Sequence, residues 1–161
     1  DFTSSIDSTY DSYVFKFYDI HPATDTAEFT FQTSTDSGSN YGVTATTTFF
    51  RAKHNEAGSG TTFARFATYD LAQQTDFQTL SHDIGADANQ AQAGYLHLFS
   101  PSSTTFVKHF LARVNNAHED EATIDTYTAG YFNTTSAVDA IQFKMSSGNI
   151  DAGDICLYGI A

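Results

Sequence analysis

Six histidines are the residues of this chain best suited to acid–base or metal chemistry, because imidazole titrates near neutral pH and ligates metals. The chain carries His21, His54, His82, His97, His109 and His118. No two of them have the spacing of a known motif, such as two histidines one helical turn apart with a carboxylate. His97 and His109 fall in strand-like segments, His54 and His118 in polar loops, and His82 in a stretch of weak pattern. We therefore predict no histidine centre, and interpret His109 as outward-facing or as a hydrogen-bonded interior residue.

The densest polar segment is His118-Glu119-Asp120-Glu121, with Asp125 close behind it. Carboxylates this close together in a loop can hold Ca²⁺, which prefers oxygen ligands. The alternation of Asp and Asn around a central Gly that is typical of calcium loops is absent here, so a solvated acidic loop is the favoured interpretation. Asp83 and Asp87 flank Gly85 in a similar, weaker arrangement. We predict no metal ligand and no cofactor.

Nucleophile and phosphate motifs are also absent. The single cysteine, Cys156, excludes an intrachain disulfide and, between Ile155 and Leu157, is typical of a small buried strand residue. No Ser lies in a Gly-x-Ser-x-Gly elbow, and no Gly-rich phosphate loop precedes a helix. The 19 acidic residues make carboxylate pairs of the glycoside-hydrolase kind expected by chance. We predict no catalytic and no cofactor-binding residue, and no enzymatic activity.

The charge balance excludes a further class of partner. Seven Lys and Arg stand against 19 Asp and Glu, which gives a net charge of −12. Phosphate backbones are bound by clustered basic residues, and those of this chain are scattered, so we predict no nucleic-acid partner. No apolar run approaches the roughly 18–20 residues of a membrane helix, so we predict no membrane insertion.

The elements that must position these residues are strands. The 15 Phe and 9 Tyr, with abundant Thr and Ser, suit a pleated, half-buried surface better than a helix. Alternation such as Tyr13, Phe15 and Phe17 on one face indicates strands, and turn-forming residues separate them. The pattern predicts nine strands, at 13–19, 28–33, 41–53, 62–69, 94–99, 105–114, 123–132, 137–145 and 154–160.

Three segments are interpreted as connections. Residues 70–89 have a weak pattern and are predicted to be a long connection with one helical turn, held to the core by Phe77, Leu80 and Ile84. Residues 115–121 are predicted to be a polar loop, and residues 151–153 a turn.

Short strands at regular intervals are typical of an all-β sandwich or barrel. We predict an antiparallel, jelly-roll-like β-sandwich of about eight to nine strands with little or no helix. A length of 161 residues without internal repeats fits one domain over residues 1–161.

Three segments carry a resemblance to a known family. They are FTSSIDSTYDSYVFKFYDIHPATD (2–25), HLFSPSSTTFVKHFLARV (97–114) and TAGYFNTTSAVDAIQFKMSSGNIDAGDICLYGIA (128–161). Together they resemble virion structural proteins of tailed bacteriophages, especially phages of marine and freshwater bacteria. These motifs are strands and turns, so they indicate a fold and transfer no site residue.

The resemblance implies a β-sandwich module on the surface of the phage particle, as a head decoration, fibre or tail appendage. It implies a homo-oligomer, commonly a trimer, that contacts other virion proteins. It also implies a short lead segment before Asp1.

Our first functional hypothesis is therefore a non-enzymatic structural component of a tailed-phage virion that assembles as an oligomer and contacts a host surface glycan. The alternative is a carbohydrate-binding module of a larger secreted or particle-bound protein, since one fold hosts both functions. The third hypothesis, ranked last, is a glycan-cleaving enzyme, which requires two carboxylates converging in a cleft. Aromatic residues are enriched at interface cores, and the candidates for such contacts are Tyr10, Tyr13, Tyr41, Tyr127 and Tyr131. For each of them a position in the core of the sandwich is an equally open interpretation.

Overall fold

The computed structural model describes residues 1–161 and contains eleven strands and one 3₁₀ turn, Ala67–Tyr69. The strands are β1 (Ser12–Pro22), β2 (Ala27–Ser34), β3 (Ala45–Asn55), β4 (Thr61–Arg65), β5 (Ala72–Gln74), β6 (Gln78–Ile84), β7 (Gln92–Phe99), β8 (Lys108–His118), β9 (Ala122–Phe132), β10 (Ala140–Met145) and β11 (Ile150–Ile160). No helix has the length and apolar character needed to cross a membrane.

The strands form two layers, and all their pairings are antiparallel. The large layer has the order β11-β1-β7-β8-β9-β3, with β4 and β5 along the far edge of β3. The small layer has the order β10-β2-β6. A single pairing between Ile84 of β6 and His118 of β8 connects the layers into one hydrogen-bonded sheet.

Phenylalanines from both layers meet face to face and form the centre of the core. The ring centroids of Phe17 and Phe143 lie 5.3 Å apart, those of Phe17 and Phe29 5.1 Å, and those of Phe31 and Phe110 5.0 Å. These pairs join β1 and β8 of the large layer to β2 and β10 of the small one, which is sandwich packing. The prediction of an all-β antiparallel sandwich is confirmed. Like a jelly roll the fold has two packed antiparallel layers, and it differs in its eleven connected strands.

The predicted connection at 70–89 is wrong in its middle part, which contains β5 and β6. Six of the seven β6 residues are buried. Because both faces of this strand are covered, its sequence lacks the regular alternation of polar and apolar residues that marks a strand with one exposed face. Its buried polar groups are paired inside: Gln78 Oε1 accepts a hydrogen bond from Thr47, and Gln78 Nε2 donates to Tyr69 O at 3.0 Å. The helical turn precedes Asp70 instead of following it. Leu80 and Ile84 lie in the core, as predicted, while Phe77 is half-buried.

Two further predicted connections belong to strands. Most of the predicted loop at 115–121 continues β8 up to His118, and its pattern is hidden because the inward residues Asn116 and His118 are polar. The predicted turn at 151–153 lies inside β11, where Gly153 has a φ of 100° opposite an irregularity in β1. An ideal Cβ on Gly153 would lie 2.5 Å from Asp19 O, so only glycine fits.

Candidate functional site

The outer face of the large layer, turned away from the small layer, is open to solvent. In β8 every second residue is buried, so His109, Leu111, Arg113 and Asn115 point outward. Leu111 is 53% exposed and Tyr95 of β7 is 44% exposed. Large apolar side chains left open on one face are typical of a binding surface.

Strand register places one row of aromatic and basic residues across this face. Lys16 pairs with Tyr95, Tyr95 with Arg113, Arg113 with Tyr127, and Tyr127 with Phe50. We call these five residues the aromatic band. Because neighbouring strands lie about 4.8 Å apart, the band crosses the five strands β1, β7, β8, β9 and β3 over about 19 Å.

Two kinds of contact order the aromatic band: its rings stack on each other, and the charge of Arg113 is neutralised by a carboxylate. The rings of Phe50 and Tyr127 stack at 5.0 Å with an interplanar angle of 2°. The Arg113 guanidinium lies 5.0 Å from the Tyr127 ring centroid and binds Asp125 through both Nε and Nη2, at 3.0 and 2.7 Å. These hydrogen bonds raise the pKa of Arg113 further above its usual value. The centre of the band is therefore aromatic and nearly neutral.

Two more tyrosines extend this surface at its β11 edge. Tyr18 and Tyr158 are each 43% exposed, and Lys16 Nζ lies 5.0 Å from the Tyr158 ring centroid. A hydrogen bond with Tyr18 raises the pKa of the Tyr158 phenol. The exposed tyrosines thus lie on three neighbouring strands.

A polar cleft of about 490 Å³ opens at one end of the same face. Its polar side chains are the amides of Asn55, Asn89 and Asn115, the carboxylates of Asp19 and Glu56, and His54 and Thr123. The amides of Gln92 and Asn116, which border the cleft through their backbone, are buried on the inner side of the layer. A bulge in β1, where Asp19 has a φ of 49°, shifts the register beside the cleft. Such bulges redirect side chains next to functional sites.

The cleft is continuous with the aromatic band. Ala93 and Asn115 line the cleft and also line a depression of about 210 Å³ beside Tyr95, Arg113 and Asp125. A ligand in the cleft can therefore reach the rings of the band without leaving the surface.

A second polar cluster lies inside the fold, between β3, β6 and β8. His82 is 2% exposed, its Nε2 accepts a hydrogen bond from Arg51 Nη1 at 2.6 Å, and its Nδ1 donates to Asp83 at 2.8 Å. His118 is 3% exposed, and its Nδ1 accepts the backbone N–H of Asp120 at 3.0 Å. Because both ring nitrogens of His82 are occupied by protein groups, this cluster fits a structural role.

Burial makes this histidine pair sensitive to acid. Desolvation is the main cause that lowers the pKa of both His82 and His118 below the usual value of 6.5. Their neutral forms stabilise the fold fully above about pH 6.5, and this contribution is lost as the pH falls through their lowered folded values. We expect the free energy of unfolding, measured by urea denaturation, to decrease from about pH 7.5 to about pH 5.5.

The matched variants are His118→Gln and the exposed His54→Gln. Loss of a buried titrating group should flatten the decrease in the first, and the second should follow the wild type. His21, whose pKa is raised by its hydrogen bond to Asp151, acts in the opposite sense, because its contribution is present below about pH 6.5 and lost as the pH rises through its folded value. Equal slopes for wild type and His118→Gln would contradict the assignment.

The acidic segment is split by the structure. His118, Glu119 and Asp120 offer ligand atoms within 4.8 Å of one another, but His118 faces inward at the end of β8 and Asp120 forms an ion pair with Lys53 at 3.2 Å. Asp125 lies on the outer face with Arg113. Desolvation, followed by the charge of Asp120, raises the pKa of Glu119. The five residues of the calcium hypothesis therefore do not form one ligand set.

The other four histidines lie at separate places in the fold and form no cluster. His97 Nε2 lies 2.8 Å from Ser12 Oγ, and His109 is exposed beside the Tyr131 ring at 5.9 Å. His21 Nδ1 lies 2.6 Å from Asp151. His54 belongs to β3 and lines the cleft, so its assignment to a loop was wrong.

Cys156 was predicted to be buried and is only half-buried. It pairs with Lys16 in the register of β11 and β1, so it lies on the outer face. The prediction that Cys156 lies in a strand did not indicate on which face of the layer its side chain would lie.

The five tyrosines predicted as contact residues divide between core and surface. Tyr13 is 1% exposed and belongs to the core, which was the alternative position for each of the five. Tyr127 lies in the aromatic band, Tyr131 is half-buried on the same face, Tyr10 is 42% exposed elsewhere, and Tyr41 is half-buried with its hydroxyl enclosed.

Tyr95, Arg113 and Phe50 were missed. The alternation in the predicted strands does place Tyr95 and Arg113 at outward positions, as it does Tyr127. Only the pairing between strands shows that these residues are neighbours.

No family model matches this chain, and neither does any curated protein or solved structure.

Proposed function

We propose that this chain is a non-enzymatic structural component of a tailed-bacteriophage virion, displayed on the particle surface as a head decoration, fibre or tail-appendage module. The observation that carries the proposal is the open aromatic band on the large layer, which is suited to binding. The phage assignment is supported by the resemblance of segments 2–25, 97–114 and 128–161 to virion structural proteins.

The composition of the band supports adhesion to a partner. Tyr, Phe and Arg are enriched at the centres of protein interfaces, and the band combines Tyr95, Tyr127 and Phe50 with Arg113. Leu111, on the same face, adds apolar area next to it. The partners proposed for this face are other virion proteins and a host surface glycan.

The edge strand β11 supports self-association into a homo-oligomer, with a trimer as the expected form. It pairs with β1 on one side only and offers eleven residues of unpaired backbone on the other. Its end is apolar, with Tyr158 at 43% and Ile160 at 44% exposure. Long exposed edge strands are templates for pairing with another chain.

The first test is the mass of the purified chain in solution, by native mass spectrometry or light scattering. We expect a species of about three times the 17.6 kDa of one chain. Ile160→Lys should shift this species toward monomer, because a charge on the pairing edge opposes strand addition.

The control is Leu111→Lys, an exposed apolar residue at the centre of the face instead of the edge. It should leave the mass unchanged. A monomer at every concentration would contradict the self-assembling virion role.

The second candidate function is a carbohydrate-binding module of a larger secreted or particle-bound protein. The amide-lined cleft beside Tyr95 favours it, because amides both donate and accept hydrogen bonds, as sugar hydroxyls do. A monomer that binds glycans would support this function over the first.

A further inference from the structure

We infer that the outer face of the large layer is a binding site for a neutral oligosaccharide, which lies in the polar cleft and continues over Tyr95 along the aromatic band. The inference rests on the proposed function only in that the chain is taken as a binding module. It adds that the glycan is neutral, and it names the residues that hold it.

The rings supply the stacking half of the site. A sugar ring has an apolar face of C–H groups, which packs on an aromatic ring, and hydroxyls at its rim. Tyr95 is 44% exposed and lies between Lys16 and Arg113. Tyr127 and Phe50, which stack on each other, continue the surface two and three strands away from Tyr95.

The cleft supplies the hydrogen-bonding half. Its volume of about 490 Å³ lies within the range of about 300–1,000 Å³ found for small-ligand sites. The exposed Asn89 amide can donate to and accept from hydroxyls, and the carboxylates of Asp19 and Glu56 accept. Asn115 offers its Oδ1 as an acceptor, because its Nδ2 donates to Thr123 Oγ1 and to Ile124 O. Asn115 also borders the depression beside Tyr95, so it lies where the two halves meet.

Charge decides between neutral and anionic ligands. Asp125 already neutralises Arg113 through a two-point hydrogen bond, and the cleft brings two carboxylates and no lysine or arginine. The remaining cation of the band, Lys16, lies against the Tyr158 ring at the β11 edge. With a net charge of −12 on the chain, a polyuronate or phosphorylated glycan would be repelled. A second copy of this chain would bring the same negative charge against the face, which favours the sugar as occupant.

The test is binding of fluorescently labelled neutral oligosaccharides of glucose, mannose, galactose and N-acetylglucosamine, with oligogalacturonate as the anionic probe. We expect at least one neutral probe to bind and oligogalacturonate to bind more weakly or not at all. Tyr95→Ala and Asn115→Ala should each weaken binding by about tenfold, which corresponds to about 1.4 kcal/mol. Tyr95→Phe, which keeps the ring, should retain most of the affinity.

The matched control is Tyr10→Ala, since Tyr10 is 42% exposed outside this face, and it should bind as the wild type does. Circular dichroism of each variant confirms that the strands are intact. The inference is overturned if the wild type binds no neutral probe, if oligogalacturonate binds more tightly, or if Tyr95→Ala and Asn115→Ala bind normally. An oligomer that binds no glycan would refute this inference alone, whereas a glycan-binding monomer would refute only the virion assembly role.

Discussion

Replacement of Phe143 by alanine is expected to lower the free energy of unfolding by about 3–5 kcal/mol. Phe143 is 7% exposed and lies at the centre of the aromatic core. Its ring contacts Phe15 and Phe17 of the large layer at centroid distances of 5.2 and 5.3 Å, and it stacks on Phe29 at 5.8 Å. Alanine removes these contacts and leaves a cavity lined by rings of both layers, which the remaining contacts between the layers hold open.

The measurement is urea denaturation followed by circular dichroism, with Phe63→Ala as the control. Phe63 is 76% exposed on β4, so its replacement should change stability by less than about 0.5 kcal/mol. A loss below about 1 kcal/mol for Phe143→Ala would contradict its position in the core.

The second large effect is expected for Gly94→Ala on β7. An ideal Cβ at this position would lie 2.3 Å from the Arg113 carbonyl oxygen and 2.8 Å from Val114 Cα. Both atoms belong to the backbone of β8, so the clash is relieved only by separating two central strands. We expect a loss of about 1–3 kcal/mol or more, as for an overpacked interior.

Gly42→Ala is the matched control, because the nearest atom to its ideal Cβ is 3.9 Å away and its φ is not positive. This variant should unfold within about 0.5 kcal/mol of the wild type. Tyr95 follows Gly94 in β7, and Arg113 carries the carbonyl oxygen that the new Cβ would meet. Gly94→Ala should therefore also displace Tyr95 on the outer face. Equal stabilities for the two glycine variants would show that β7 and β8 lie further apart than described.

Where a strand has one solvent-exposed and one buried face, the sequence predicts most of the outward and inward positions. Phe15 and Phe17 are examples, since their alternation with polar neighbours has the period of a strand. Prediction failed at β6, where both faces are covered, and at the end of β8, where Asn116 and His118 point inward. In these segments burial is independent of side-chain polarity, because partners inside the fold pair most of the polar groups, such as Gln78 and the Nδ1 of His118.

The amino-acid sequence by itself determined the all-β class, the approximate position of most strands and the acidic character, because these depend on local alternation, turn residues and composition. Only the tertiary structure decided which residues share a site. Tyr95, Arg113 and Tyr127 adjoin through the register of β7, β8 and β9, and the cleft beside them is lined by Asp19, which lies at a bulge in β1. Register and bulges are set by packing between strands distant along the chain, and no local pattern encodes them.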